Sequence, residues 1–560
     1  MTTADDRQAE LYYKAGHWGH DPATHSLDGL LKQRAMRDGD QLAICDDPSK
    51  PQWTGSPARS LSFNELDSEV ELLAAFLRGL NLGPSAVVAY YGPGTVEAYV
   101  SILAIHRAGL AAAPIPLFWR EHDLKDYLDR IQARAIITCD RVEDDNLGLR
   151  ARNVAQEMFN IRYVFGYGEG LPDGVMNLDQ IMEMASAQAS EAAFFDLPNP
   201  GGTAILLPPA LANPDLPPAI KRSSNHLNAA YQAAVPDIPE CKRLLLAFAP
   251  TGYAGILMGL LGLLRSSHTL YLHHYRDADH LSWHIEDVAA DCVVVPNSIA
   301  EEVPAGPSMV CLVHKNSHLP SAFPIDWIDQ PPAIFDLTIL NEFAAIGLMR
   351  PSGQTEPEGL PIDPDQQTPG LLKVDIRGRA FQETISQQTR LRGGEIVVAG
   401  ASVPGDFFHS VVTGEPDGAS YYAVKVNGNR DGEADETIIP LGFLGDVATL
   451  QGYCIAGETL DDFFKQVPGV VDAAHFVVTD TGSLWAAIVT DYRADMTPSS
   501  FKTALSDLGL SALYHPDELL VTNKIPRGVG DIVLRGALMS EATSQDMASS
   551  VASRSLQQAG

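Results

Sequence analysis

The chain has 560 residues, 45% of them apolar and 20% charged, with 71 Asp and Glu against 39 Lys and Arg for a formal net charge of −32. That length supports more than one domain and a large core. The charge argues against nucleic acid and anionic membrane as partners, because both are recruited by basic surface. The six cysteines form no CxxC pair, so free thiols in a reducing cytosol are expected rather than disulfides or zinc. The acidic start MTTADDRQAE lacks the pattern of a signal peptide, and the most apolar stretch, Gly255 to Leu264, is too short to cross a bilayer. A cytoplasmic protein is expected.

In chain order, Ser26 to Arg37 has helical periodicity with Ser26 as N-cap, and Leu42 to Cys45 reads as a strand. Pro48 to Ser60 reads as a loop. Asn64 to Leu80 is an amphipathic helix whose apolar positions Leu66, Val70, Leu73, Ala74 and Leu77 recur at spacings of three and four. Strands at Ala86–Tyr91 and Ala111–Pro116 bracket a turn at Gly92-Pro-Gly and a helix at Thr95–Ala108. Short apolar runs near 135, 163, 203, 244 and 292 continue a strand–helix alternation, which predicts α/β layers around mostly parallel sheets. The stretch from Ile220 reads as the start of a helix, and Gly255 to Leu264 as a core helix. Residues 352–370 read as a linker, Gly394–Gly400 and its neighbours as antiparallel strands, and residues from about 457 as a compact α+β module. The tail from Met539 reads as a flexible end or a frayed helix.

One loop stands out. Leu207 to Ala219, LPPALANPDLPPA, joins a buried strand to the next element, a place where α/β enzymes hold phosphate on glycines and backbone N–H groups. It has five prolines and no Gly, Ser, Thr or Lys. His280 and His284 lie four apart on a helix, but HLSWH lacks the glutamate of a zinc protease, so no metal is assigned. There is also no G-x-S-x-G elbow and no Walker-type loop.

Leu61 to Pro116, Gly394–Gly400, Leu444-Gly-Asp-Val-Ala, Val467-Pro-Gly-Val-Val-Asp-Ala-Ala and Ile525-Pro-Arg-Gly-Val-Gly-Asp together resemble the adenylate-forming superfamily. That superfamily comprises acyl-CoA synthetases, aryl-acid–AMP ligases, adenylation domains and luciferases. Tyr12–Trp18 and Pro116–Leu124 are similar to the dihydroxybenzoate–AMP ligase and alicyclic or medium-chain acid–CoA ligase branch. The resemblance implies a large N-terminal domain of layered α/β subdomains at 1–456, with a small β-rich subdomain at 351–456. It also implies a small mobile α+β C-terminal domain at 457–540, followed by a flexible tail at 541–560.

The family joins a carboxylic acid to ATP with Mg²⁺, releasing pyrophosphate, and passes the acyl group to a thiol such as CoA. Its S-G-T-T-G-x-P-K phosphate loop falls at about Pro209–Pro218, where none of its Gly, Ser, Thr or Lys residues is present. A shifted register would recruit Lys221 or Arg222 but no glycine or hydroxyl. In its Y-G-x-T-E motif Phe343 matches the aromatic, while Ile346 and Gly347 stand for the Thr and the Mg²⁺-binding Glu; Glu342 lies on the other side of the aromatic. Asp446 matches the ribose-binding aspartate, so Asp446 and Phe343 are the nucleotide-binding remnant. Asp461 matches the hinge aspartate, and the neighbouring nucleotide-contacting arginine is Glu458. The catalytic lysine position is Asp531, a sign reversal in a contact that steadies the transition state, so no catalytic residue is assigned. Gly252, at the family's pocket gate, and Tyr253 beside it are the acyl-pocket candidates.

These residues imply an adenylate-forming fold without ATP-dependent adenylation: a non-catalytic acyl- or CoA-binding homologue, or a regulatory partner that associates with an active paralogue. ATP and Mg²⁺ are implied by the family but their motifs are lost; CoA, an acyl-AMP, a small carboxylic acid or an acyl thioester remain as ligands. Two alternatives stay open. One is a working acid–CoA ligase for an aryl, alicyclic or medium-chain acid. The other is a repurposed enzyme acting on a preformed acyl-adenylate or thioester.

Overall fold

The computed structural model describes residues 26–188, 201–210, 217–235, 241–317, 323, 327 and 331–350. Beyond these it describes 354, 357–361, 373–377, 382–385, 388–391, 394–399, 402–404, 411–412, 421–431, 437–443, 447–450, 453–478, 483–491, 496–527 and 533–542. The chain divides into two compact units. The first comprises Met1–Leu117, Leu128–Pro208 and Ala219–Leu441, and the second Phe118–Tyr127, Pro209–Pro218 and Gly442–Gly560.

The first unit holds two large sheets built, in chain order, from β1 (Leu42–Cys45), β2 (Ser60–Ser62), β3 (Val87–Tyr91), β4 (Ala111–Ile115), β5 (Ala135–Cys139), β6 (Tyr163–Tyr167), β7 (Met176–Asn177), β8 (Thr203–Leu207), β9 (Ile220–Ser223), β10 (Arg243–Leu246), β11 (Thr269–Leu272), β12 (Cys292–Pro296), β13 (Met309–Lys315), β14 (Ala333–Leu340) and β15 (Ala344–Met349). One sheet runs β15-β14-β13-β12-β10-β11-β1-β2 and the other β7-β6-β5-β3-β4-β8-β9. Both are parallel inside and antiparallel at an edge, through the pairs β1–β2, β14–β15 and β8–β9. The inner strands are buried along their length, as in Ala111–Ile115, which is why the sequence shows apolar runs there rather than alternation.

Local chemistry explains the helices. Ser26 Oγ accepts from Gly29 N and caps Leu27–Asp38. In Phe63–Gly79 a reciprocal capping box joins Ser62 and Glu65, and the five stripe residues predicted from spacing are all buried. Each contributes about 1.5–3 kcal/mol if it is Val or Leu. Two expectations are corrected. Pro48–Ser60 contains a short helix, Lys50–Thr54, begun by a proline in its first turn. Ile220–Ser223 is not helical but forms β9, paired antiparallel to β8; the helix starts at Ser224 behind the Ser223 cap. The core helix is π-helical over Gly255–Leu261 and α-helical over Gly262–Arg265, and every residue up to Leu264 is buried.

The β-rich segment forms a sheet in the order Leu360–Pro361, Thr437–Phe443, Tyr421–Asp431, Gly394–Ala399, Lys373–Arg377, with Val411–Val412 paired to Tyr421–Asp431. In the second unit, strands Val470–Val478, Ser483–Thr490 and Glu518–Val521 pack with helices Gly457–Gln466 and Pro498–Asp507 around Leu460, Phe464, Phe501 and Leu505. Cys45, Cys139, Cys241, Cys292 and Cys311 are free thiols. No described helix is long and apolar enough to cross a membrane.

Candidate functional site

In the eight-stranded sheet β10 lies between β11 and β12, so the chain changes direction of travel around β10. Ligands of open α/β sheets bind outside the carboxyl ends of the strands near such a switch. The segments leaving β10, β13 and β14 are Thr251-Gly-Tyr, Lys315-Asn316 and Asn341-Glu-Phe, and they meet there.

The β14–β15 turn is the centre of the site. Asn341 and Glu342 have φ of 46° and 61°, in the left-handed region that Asn tolerates and Glu rarely adopts. The surrounding contacts enforce this geometry. Asn341 N donates to Asn316 Oδ1 at 2.6 Å, and Phe343 N closes the turn onto Leu340 O at 2.8 Å. Arg222, fully buried on β9, donates through Nη2 to the carbonyls of Glu342 and Phe343, both at 2.7 Å, and through Nη1 to Ser402 O at 3.0 Å. Its guanidinium stacks on the Tyr253 ring, with the central carbon 3.7 Å from the centroid. Burial lowers the pKa of Arg222 from its ordinary value, with Tyr253 and Glu342 acting in the opposite sense. Burial likewise raises the Tyr253 pKa, against the pull of the Arg222 charge.

The Glu342 side chain faces the head of the core helix. Its Oε2 accepts from Tyr253 N at 2.5 Å, and its Oε1 lies 3.6 Å from Lys315 Nζ. The first amides of a helix favour an anion, and here the protein supplies that anion itself. Gly252 borders the same pair: a Cβ at 252 would stand 3.6 Å from Glu342 Oε2 and 3.8 Å from Lys315 Nζ, in ordinary contact.

The sequence-assigned residues distribute as follows. Gly252, Tyr253 and Phe343 converge in this site; Tyr253 is fully buried beneath Arg222, and Phe343 is 1% exposed. Asp446 and Asp531 lie outside the described residues, as do residues 211–216 of the proline-rich loop. Asp461 lies in the second unit, on helix Gly457–Gln466, where it is buried. It accepts from His475 N at 2.7 Å and pairs with His475 Nδ1 at 2.9 Å and Arg535 Nη2 at 2.9 Å, so its contacts pin the helix to its own sheet. Burial pushes the Asp461 carboxyl up, but the bonds from His475 and Arg535 outweigh this and its pKa is lowered. Glu458 is exposed on the same helix. Arg222, suggested by a shifted register as a phosphate ligand, is occupied by backbone carbonyls instead. Reasoning from the sequence did not identify the pairing of Glu342 with Tyr253 N–H and Lys315, because it joins residues 27 to 89 positions apart; the one local signal was a Glu beside the motif's aromatic.

Mg²⁺ needs free oxygen ligands, and this turn does not fit it. Both Glu342 oxygens face protein donors. A Cβ on Gly347, which takes the place of the family's Mg²⁺ ligand, would come within 1.8 Å of Ala234 O and 2.3 Å of the Phe335 ring.

Comparisons with known proteins agree with the fold. Residues 31–165 match the AMP-binding enzyme family. A salicylyl-CoA synthase / salicylate adenylyltransferase from Streptomyces sp. is 22% identical over 571 residues, covering 92% of this chain and 93% of that protein. A salicyl-AMP ligase / salicyl-S-ArCP synthetase from Mycobacterium tuberculosis is 27% identical over 200 residues, covering 36% of this chain and 33% of that one. A match to N-(5-amino-5-carboxypentanoyl)-L-cysteinyl-D-valine synthase of Penicillium rubens, 28% identical over 120 residues, covers 21% of this chain and spans 3% of that protein's length. Among solved structures, the amide bond synthetase McbA of Marinactinospora thermotolerans superposes with a TM-score of 0.68 at 17% identity, covering 91% and 99% of the two chains. An o-succinylbenzoate CoA synthetase of Bacillus subtilis gives 0.63 at 15% identity, covering 90% and 97%. Residues 31–165 carry the likeness to the AMP-binding enzymes, and the layered parallel sheets with a smaller α+β unit share the fold of adenylate-forming enzymes.

Proposed function

We propose that this chain is a member of the superfamily that no longer makes adenylates, and that it serves as an acyl- or CoA-binding homologue or as a regulatory partner of an active paralogue. The observation behind this reading is the Glu342 carboxylate held between Tyr253 N–H and Lys315 at the head of the core helix. In the family that helix lines the acid pocket, with its gate at Gly252. A carboxylate fixed at the gate repels an incoming acid, and with both oxygens engaged it does not serve as a metal ligand. The altered residues Ile346, Gly347, Glu458 and Asp531 act in the same direction.

The test is ATP–pyrophosphate exchange with Mg²⁺ and a panel of carboxylic acids. No exchange above background is expected. Exchange with any acid refutes the proposal.

A second reading rests on the end-to-end match to the salicylyl-CoA synthase. On that reading the chain is an acid–CoA ligase for an aryl acid, of the branch suggested by Tyr12–Trp18. Calorimetry separates the two: the ligase must bind ATP with Mg²⁺, whereas the first reading expects a non-hydrolysable acyl-AMP analogue or CoA, but not ATP, to raise Tm. A cytoplasmic location and association with a paralogue belong to the first reading.

A further inference from the structure

β1 and β11 are adjacent parallel strands, and the residues just beyond their carboxyl ends bring Asp47 and His273 together. Helix Ala278–Asp287, which follows β11, contributes His280 and His284 from one face. All four side chains are buried: Asp47 is 2% exposed, His273 6%, His280 8% and His284 0%.

Their donor atoms converge. Asp47 Oδ2 lies 3.4 Å from His273 Nδ1 and 3.9 Å from His284 Nδ1, and Asp47 Oδ1 lies 3.4 Å from His280 Nε2. The two Nδ1 atoms of His273 and His284 are 3.0 Å apart. Donor atoms of Asp47, His273 and His280 all fall within 4.8 Å of one another. Ligands bound to zinc at 2.0–2.1 Å in a tetrahedron stand about 3.3 Å apart, and the separations of Asp47 from His273 and His280 are close to that value, while His284 lies beside this group, against His273.

Hydrogen bonding within the cluster joins only the two Nδ1 atoms of His273 and His284. Neither nitrogen of His280 has a hydrogen-bond partner among the described residues, and the same holds for His273 Nε2 and His284 Nε2. Buried imidazole nitrogens are costly without partners. The carboxylate, in contrast, is held in place: Asp47 Oδ1 accepts from Ser49 N at 2.8 Å and Ser49 Oγ at 2.7 Å, and Oδ2 accepts from His274 N at 3.0 Å. Outer bonds of this kind orient metal ligands. The helix bearing two of the imidazoles is fixed by its own cap, Asp277, which accepts from His280 N at 2.8 Å.

We propose that Asp47, His273 and His280 form a binding site for a late first-row divalent metal ion, with Zn²⁺ the expected occupant and His284 Nδ1, beside His273, drawn in as the fourth ligand. Imidazole nitrogens and a carboxylate oxygen suit zinc and its neighbours rather than Mg²⁺ or Ca²⁺. The site ties the loop after β1 to the β11–helix connection, and it stands independently of whether the chain makes adenylates. The sequence offered only the pair His280 and His284, and on that pair no metal was assigned; His273 is next to the helix in sequence, but Asp47 is more than 200 residues away.

The test uses the full-length chain, stripped with chelator and dialysed against Zn²⁺ or Co²⁺. One equivalent of zinc per chain by elemental analysis, visible d–d bands of tetrahedral Co²⁺ and a Zn²⁺-dependent rise in Tm are expected. Asp47→Asn and His284→Gln should each lose the bound equivalent, and His226→Gln, outside the cluster, should retain it. Absence of stoichiometric uptake by the wild-type chain, an octahedral cobalt spectrum, or uptake unchanged in Asp47→Asn and His284→Gln would overturn the proposal. The wild-type cobalt spectrum stands whether or not the variants fold.

Discussion

Replacing Glu342 by glutamine removes one charge and retains an acceptor for Tyr253 N–H, so it isolates the electrostatic role of the residue. An acid substrate brought to about 4 Å from the Glu342 carboxylate meets about 4 kcal/mol of repulsion at an effective dielectric constant of about 20. Lys315 Nζ, 3.6 Å from Oε1, offsets part of it. Since about 1.4 kcal/mol is a factor of ten in Kd, Glu342→Gln should tighten binding of an aryl acid such as salicylate by between about 10-fold and 1,000-fold. Binding of the neutral amide, salicylamide, should hardly change, because no charge approaches the turn. The variant also exchanges a charged acceptor for a neutral one at Tyr253 N–H, a loss of order 1 kcal/mol in unfolding free energy. Isothermal titration calorimetry of both ligands against both proteins measures the contrast. Equal salicylate affinity for parent and variant, or an equal gain for acid and amide, would refute the idea that Glu342 guards the pocket.

Three further outcomes follow from buried contacts. Gly347→Ala places a methyl group against Ala234 O and the Phe335 ring, and should destabilise the first unit by about 1–3 kcal/mol in denaturant titrations; consequently Gly347→Glu should not restore Mg²⁺-dependent exchange. Lys50 Nζ sits 2.6 Å from Asp46 and 2.7 Å from Glu97, with all three buried, so Lys50→Met strands two carboxylates and should cost about 3–5 kcal/mol by the same assay. Asp461 has a folded pKa below its ordinary value of 3.8, so its contribution is present above about pH 4 and fades as pH falls through the folded pKa. Acid unfolding of the second unit, followed through Trp485 fluorescence, should therefore begin near pH 4 in the parent, and Asp461→Ala should be less stable already at pH 7 and show a weaker acid dependence.

Much of the fold was legible because its signals are local. The stripe Leu66, Val70, Leu73, Ala74, Leu77 and the N-cap Ser26 ahead of its helix each lie within a few residues of what they stabilise. β9 was missed for a related reason: Ile220-Lys-Arg-Ser has no periodicity of its own and becomes a strand by pairing with β8. The helix Lys50–Thr54 was read as loop because Pro48 and Pro51 suggest a turn, although proline in a first helical turn is favourable. The candidate site was legible only in part. Gly252, Tyr253 and Phe343 emerged from motif positions, whereas Arg222, Lys315 and Glu342 were joined to them by the carboxyl edge of the sheet.

Those long-range contacts also bear on what the site does. An arginine that serves a phosphate must be free to meet it; Arg222 has three carbonyl acceptors and an aromatic face. A helix head that serves a substrate carboxylate must be vacant; Tyr253 N–H holds Glu342. The turn carries two left-handed residues, one of them Glu, at a cost of order 1–3 kcal/mol each for backbone strain. Such strain persists only where the surroundings fix it, and here Arg222 and Asn316 hold the turn. On the proposed reading, an acid approaching the Gly252 gate meets the Glu342 carboxylate, and the Glu342→Gln comparison measures how much that charge weakens its binding.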